Sequence, residues 1–286
     1  MSTAVLTPGL RAGAQPRTAA GARPPATVLL SAAVILLVLA WSIAPGLFTG
    51  HDPAVGVPDD KFIAPGAQHW LGTDHLGRDL LTRIVHGSAS SMTSALIAVA
   101  IGVAVGGALG LVGGYLGGWV DAVIGRVVDV LLAIPGFLLA VVVVTALGYD
   151  TRNAAIATGV SAVAVFARLM RSEVLRVRTS VFIEAARISG GSSTYVLLRH
   201  VLPNALRPVL SLAVLQFGIA ILVIAGLAFL GYGDPPPASD WGLLVSDGRE
   251  HLLHAPWLVI APGLVIAVVV LSVSRLSSWL DLGRNR

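Results

Sequence analysis

Among its 286 residues the chain has no cysteine, a single lysine, Lys61, and only 12% charged residues. Without cysteine there can be no structural disulfide, no thiolate metal site and no cysteine nucleophile. The lone lysine excludes nucleotide hydrolysis by the chain itself, because a phosphate-cradling loop ends in Gly-Lys-Ser/Thr and Lys61 stands between Asp60 and Phe62. Serines are plentiful, but no His and Asp form a recognisable motif around one, so no catalytic residue is assigned. Set against 55% hydrophobic residues, the scarcity of charge excludes a soluble domain: the apolar runs exceed what one core could cover.

Those runs are Thr27 to Phe48, Met92 to Val120, Val127 to Leu147, Asn153 to Ala167, Val209 to Leu230 and Pro256 to Ser274. They predict an all-α integral membrane protein with six transmembrane helices. The fourth is shorter than the roughly 20 residues a helix needs to cross the hydrocarbon, which places Arg168 near its end. Residues 1–26, rich in Ala, Gly, Pro and Thr, have no apolar periodicity and are expected to form a disordered cytoplasmic tail. Residues 27–286 are then one domain, with outer loops at 49–91 and 231–255 and a cytoplasmic loop at 168–208.

The sequence pI of about 10.1 does not point to nucleic acid, because the arginines flank apolar runs as membrane insertion requires. If both termini are cytoplasmic, the inner side holds Arg11, Arg17, Arg23, Arg126, the arginines from Arg168 to Arg207, Arg275, Arg284 and Arg286. The outer side keeps Lys61, Arg78, Arg83, Arg152 and Arg249 together with most of the acids. The positive-inside rule favours this orientation, in a cell membrane.

Within the spans, Gly102, Gly106, Gly110, Gly114 and Gly118 recur every fourth residue, a ladder that lets helices pack closely in lipid. Pro135 and Gly136 sit in the middle of the third run and predict a helix kink. Asp129 near the inner end of that run is expected to be a buried charge paired with Arg126. Proton-coupled transport would favour more ionisable residues than this within the spans. Polar residues within the spans, such as Thr158, Ser161 and Gln216, are expected to line a pathway or to bond neighbouring helices.

Outside the spans, Asp74, Arg78, Asp79 and Arg83 alternate with Leu76, Leu80, Leu81, Ile84 and Val85, which predicts an amphipathic helix at the outer interface. Three prolines stiffen the stretch from Asp234 to Trp241. Both stretches are candidates for meeting a second protein or capping the bundle. His51, His69, His75 and His86 share one outer loop without ligand spacing, and His251 and His254 lack a nearby third ligand, so no metal site is assigned.

The most informative segment is FIEAARISGGSSTYVLLRHVLP, Phe182 to Pro203. Val181, Phe182, Ala185 and Ile188 recur at helical spacing, with Glu184 and Arg187 on the other side. Ala185 and Ala186 let another backbone come close, Gly190 and Gly191 end the helix, and Pro203 breaks the chain again.

This segment resembles the cytoplasmic coupling loop of ATP-binding-cassette importer permeases. Glu184-Ala185-Ala186, Gly190 and Arg199-His200-Val201-Leu202-Pro203-Asn204 carry the match. Three further segments are similar to the dipeptide, oligopeptide and nickel group, closest to its second permease: Gly72-Thr73-Asp74 with Leu76-Gly77-Arg78-Asp79, Asp129 to Pro135, and Phe229 to Trp241-Gly242. The C-terminal stretch departs from the group, keeping only Leu280-Asp281.

The resemblance implies a type I ABC importer transmembrane domain that forms half of a pathway for di- or oligopeptides. Nickel, glutathione, or a stand-alone channel are the alternatives. It implies a second homologous permease, two ATPase subunits that carry the ATP and Mg, and an extracytoplasmic substrate-binding protein. No cofactor is expected in this chain. The coupling residues implied are Glu184, Ala185, Ala186, Arg187, Gly190, Leu202 and Pro203. Those implied for docking the binding protein, or for another interface, are Asp74, Arg78, Asp79, Asp234 and Trp241.

Overall fold

The computed structural model describes residues 25–284, with side chains to residue 279. The tail expected at 1–26 lies outside the described residues but for its last two, and so do the side chains of Leu280 and Asp281. Among the described residues the chain is helical with no strand. Helix α1 is Ala26–Ile43, α2 Leu80–Leu116, α3 Gly118–Ala133, α4 Gly136–Leu147 and α5 Thr151–Arg178. Then come α6 Val181–Ile188, α7 Ser193–Phe229, α8 Trp241–Gly248 and α9 Trp257–Arg284. Helices α1, α2, α5, α7 and α9 are each long and apolar enough to cross a membrane, and the bent pair α3–α4 supplies a sixth crossing if its arms count as one.

The centre of the bundle is α5, whose apolar window is the most buried of the spans, and it packs against α2, α3, α4 and α7. The glycine ladder is the reason α2 comes so close. A Cβ on Gly106 would strike the Val163 carbonyl oxygen, one on Gly110 the Ala167 carbonyl oxygen, and one on Gly102 the Phe166 ring. Gly114 faces Val174 in the same way. Gly118 does not belong to this contact: nothing approaches it, and at φ +57° it opens α3 after the turn. The ladder also carries a π-helical turn at Gly102–Gly106, which keeps the glycines turned toward α5.

Two expectations about the spans change. The fourth run is not short: α5 continues to Arg178, so Arg168 stands well inside the helix. Its inner extension is held by ion pairs to α3, Arg171 to Asp121 and Arg168 to Asp129, the latter at 3.0 Å. Much of the expected loop 168–208 is therefore helical, as the inner ends of α5 and α7.

The second change is at Pro135. The structure has a break in place of a kink, with α3 and α4 meeting at 95°. Ile134 (ψ 127°) and Pro135 (ψ 127°) are both extended. A proline pushes its predecessor out of the helical region and cannot donate to it, and Gly136 starts the next helix afresh.

Asp129 is likewise corrected. Its side chain is 65% exposed in the chain and pairs with Arg168 of α5, not with Arg126. Its helix lies at the rim of the bundle, so the carboxylate is exposed beside Arg168.

Candidate functional site

At the cytoplasmic end by the charge rule, α6 links α5 to α7 and packs Ile183 into the core cluster that also holds Val177 of α5 and Val196 of α7. Ser180, whose amide donates to the Val177 carbonyl at 3.0 Å, turns the chain out of α5. The C-terminal end of α6 is closed by a complete glycine cap. Gly190, at φ +87°, donates its N–H to Arg187 at 3.0 Å, and Gly191 donates to Ala186 at 3.1 Å. Ser192 then caps α7 by accepting from the Tyr195 N–H. These short-range bonds make α6 a defined rigid unit.

The inward side of α6 is Ile183, which is fully buried, with Ala186 half-buried behind it. Ile183 is the residue that sequence reading passed over. The apolar face read from spacing is the exposed one, with Val181 82% and Ile188 80% exposed. Glu184, Ala185, Arg187 and Gly190 are exposed too, whereas Leu202 is half-buried and Pro203 exposed at the start of the straight part of α7. Between them lies a second π-helical turn, Leu197–Val201, which contains Arg199 and His200.

Two contacts tie this end to α2. Arg178 donates to the Gly114 carbonyl at 2.7 Å, and the Tyr115 hydroxyl donates to the Ser193 carbonyl at 2.7 Å. The ends of α2, α5 and α7 therefore share one base beneath α6. No motif marks these partners in the sequence, because a guanidinium bonding a backbone carbonyl requires only proximity.

At the opposite end, the residues assigned to docking are inside the protein. Asp74, Arg78, Asp79 and Trp241 are buried, so they cannot meet another chain through their side chains. The expected amphipathic helix is also absent before Leu80. Gly72 (φ +80°) and Gly77 (φ +77°) fold residues 72–79 into a tight loop around Asp74, a backbone shape that side-chain spacing does not reveal.

In that loop Asp74 Oδ1 accepts the N–H of Leu76 at 2.9 Å and of Arg78 at 3.0 Å. Its Oδ2 accepts Arg78 Nε at 2.7 Å and Arg83 Nη1 at 3.0 Å. Burial opposes the charge on Asp74, but these amides and the two guanidinium groups outweigh it and hold the carboxyl below the usual carboxylate range.

Arg83 reaches on to the Ala238 carbonyl at 2.9 Å and to Asp247 of α8 at 3.6 Å. Asp79 caps α2 through the Thr82 N–H at 2.7 Å and meets His69 Nδ1 at 2.9 Å. Trp241 donates its indole N–H to the Ile84 carbonyl at 2.9 Å. Asp240 caps α8 and accepts the Ser91 hydroxyl at 2.8 Å, while its complete burial pushes its carboxyl above the ordinary range. Asp234, half-buried, accepts the Thr151 N–H at 3.0 Å and so fixes the start of α5. The assigned docking set is thus an internal brace joining the outer loop, α2, α5 and α8. Among the described residues no group of three His, Cys, Asp or Glu is placed to hold a metal ion.

A helical bundle of this kind, braced at one end and carrying an exposed short helix at the other, is a multi-span membrane protein. Residues 102–286 match the family of binding-protein-dependent transport system inner membrane components, and the chain belongs to that family. It is 38% identical over 234 residues to the dipeptide transport system permease protein DppC of Alkalihalophilus pseudofirmus, covering 82% of this chain and 77% of that protein. It is 36% identical over 242 residues to the probable D,D-dipeptide transport system permease protein DdpC of Escherichia coli K12, covering 85% and 81%. It is 40% identical over 222 residues to the glutathione transport system permease protein GsiD of Shigella flexneri, covering 78% and 73%. The fold is that of a chain of the MetNI methionine ABC transporter in an inward-facing conformation, with TM-score 0.59 at 16% identity over 71% of this chain and 97% of that one.

Proposed function

We propose that the chain is one half of the membrane pathway of an ATP-driven importer of short peptides. It works with a second homologous permease, two ATPase subunits and an extracytoplasmic substrate-binding protein, and ATP and Mg reside on the ATPases. The observation that carries this reading is α6. A rigid helix, anchored by Ile183 and presenting Val181 and Ile188 almost fully to the cytoplasm, is an apolar knob in want of a socket on another protein. A stand-alone channel has no use for such a knob. Movement of the ATPases would push α6, and its shared base with α2, α5 and α7 would pass the displacement into the spans.

The peptide cargo is supported by the likeness to the dipeptide transport permeases above. Glutathione, itself a tripeptide, is the second reading, favoured by the relative at 40% identity. The test is reconstitution of all five components in vesicles with the binding protein supplied outside and trialanine as cargo. The proposal expects ATP-dependent accumulation that is lost when either the ATPases or the binding protein is omitted. Accumulation by this chain alone, without nucleotide, would overturn it.

A further inference from the structure

Two cavities lie end to end along the seam between α5 and α7. The first, about 240 Å³ at mid-span, is lined by Thr158, Ser161, Gln216 and, from the broken third span, Gly136 and Phe137. The second, about 700 Å³, opens beside α6 and is lined by Arg176, Asn204, Arg207, Pro208 and Ser211. Positions 158, 161, 165, 169 and 176 fall on one face of α5, and 204, 208, 212, 216 and 219 on one face of α7. The two cavities share no lining residue but follow one face of each helix, a groove that is polar at mid-span, apolar around Leu169 and Leu212, and basic at the mouth.

The polar groups at mid-span are neutral and have capacity to spare. Thr158 donates to the Ala154 carbonyl at 2.8 Å and Ser161 to the Ala157 carbonyl at 3.0 Å, which leaves their oxygens as acceptors. Gln216 makes no side-chain hydrogen bond among the described residues. At the mouth, Pro208 has no N–H to give, so the Asn204 carbonyl lacks its helical partner. The lining of both cavities contains no Asp or Glu. Of its two arginines, Arg176 is bound to Glu173 at 2.6 Å, while Arg207 is exposed and makes no ion pair among the described residues. Among the described residues, the mouth of the groove thus carries a positive charge with no acidic partner.

We propose that this groove is a wall of the cargo path and that Arg207 makes its mouth select against cations. The cargo it suits is a zwitterionic or anionic solute with amide groups for Gln216, Thr158 and Ser161 and a carboxylate for Arg207: a short peptide with a free C-terminus, not a metal ion. The inference rests on the import reading above only for the direction of travel.

Because the chain has no cysteine, single thiols can be placed without background. Ser161→Cys, Gln216→Cys and, as an outward-facing control, Leu222→Cys would be made in the complete transporter with cysteine-free partners. Each would be treated with an anionic sulfonatoethyl and a cationic trimethylammonium-ethyl methanethiosulfonate reagent. At position 216, about 13 Å along α7 from Arg207 at roughly 1.5 Å per residue, the anionic reagent should react about threefold faster than the cationic one, relative to a free thiol, as one unit charge at that distance in water dictates, and position 161 should show the same sign. Arg207→Gln, or Arg207→Ala if the first does not assemble, should lower that ratio toward one, and Cys at 222 should stay unreactive. Thiols at 161 and 216 as silent as the one at 222 would show a dry seam packed by the partner permease and overturn the proposal. A ratio of one or below in the unmodified background would overturn it too. Because thiol reactivity does not depend on the cargo, an assembled complex that shows the expected ratio but accumulates no peptide would sink the import reading and leave the charge filter standing.

Discussion

Replacing Asp74 by Asn should damage the outer brace more than any surface substitution nearby. One carboxylate oxygen serves Arg78 Nε and Arg83 Nη1 at 2.7 and 3.0 Å, and those two side chains are 2% and 1% exposed. An amide of the same shape keeps a hydrogen bond to one guanidinium and cannot neutralise either. Arg83 then retains Asp247 at 3.6 Å and the Ala238 carbonyl, and Arg78 is left without a counter-charge. Breaking a buried ion pair from one side costs about 3–5 kcal/mol. For a chain of this size that is a fall in melting temperature of roughly 6–20 °C at about 2–4 °C per kcal/mol. Melting of the purified subunit, followed through its six tryptophans, is the assay.

Glu173→Gln, which removes the exposed Arg176 partner, should move the midpoint far less, since such pairs contribute about 1 kcal/mol at most. The acid limb of the pH profile is a second readout. Because the folded Asp74 carboxyl lies below its unfolded value of about 3.9, its stabilisation is present above that pH and is lost as the pH falls through the folded value. That step should be missing from Asp74→Asn. A variant that melts with the wild type at pH 7 would refute the reasoning, since the two arginines would then need no counter-charge.

Three other expectations can be checked as directly. Gly110→Leu drives a side chain into the Ala167 carbonyl and the Arg171 amide at 2.8 Å, so α2 and α5 must separate, and a loss of at least about 1–3 kcal/mol should appear in the same melt. Gly190→Val places a β-branched residue at φ +87° where no neighbour crowds it. The cost of about 1–3 kcal/mol is purely conformational, and it should fray the end of α6, measured as faster amide exchange at Gly191, while leaving the bundle's melting point in place. Single thiols at Ala54 and Ser189, both exposed, should label with impermeant reagent from opposite faces of sealed vesicles. Labelling from one face would end the orientation with cytoplasmic termini.

What the sequence disclosed depended on whether the signal was local. The glycine ladder showed because close packing in lipid demands small residues at a fixed interval, and Gly102 to Gly114 meet α5 as their spacing requires. The limits of α6 showed because Gly190 and Gly191 act on their own helix. The run from Asp74 to Arg83 misled because alternating charge and leucine reads alike for an exposed amphipathic helix and for a buried ionic knot. Only the positive φ of Gly72 and Gly77, a backbone property, separates the two. Pro135 announced an interruption without its angle, which depends on Ile134 becoming extended as well. Partners far apart in the chain, such as Arg168 with Asp129 and Arg178 with Gly114, were beyond reach because several cations lie within range of each acceptor. On α6 the spacing marks Val181, Phe182, Ala185 and Ile188 as one face but not that this face is exposed, and Ile183, the buried anchor, carries no signal because a single isoleucine breaks no pattern.

The central claim is that work done on other subunits enters this chain through α6. The measurement that tests it most directly is the number of peptides imported per ATP hydrolysed by the reconstituted complex when the knob is altered by Ile188→Glu. The account predicts that hydrolysis persists while import per ATP falls at least tenfold, because the motor no longer seats on an apolar surface. Import and hydrolysis both unchanged, with a charge placed at a position 80% exposed on α6, would contradict it.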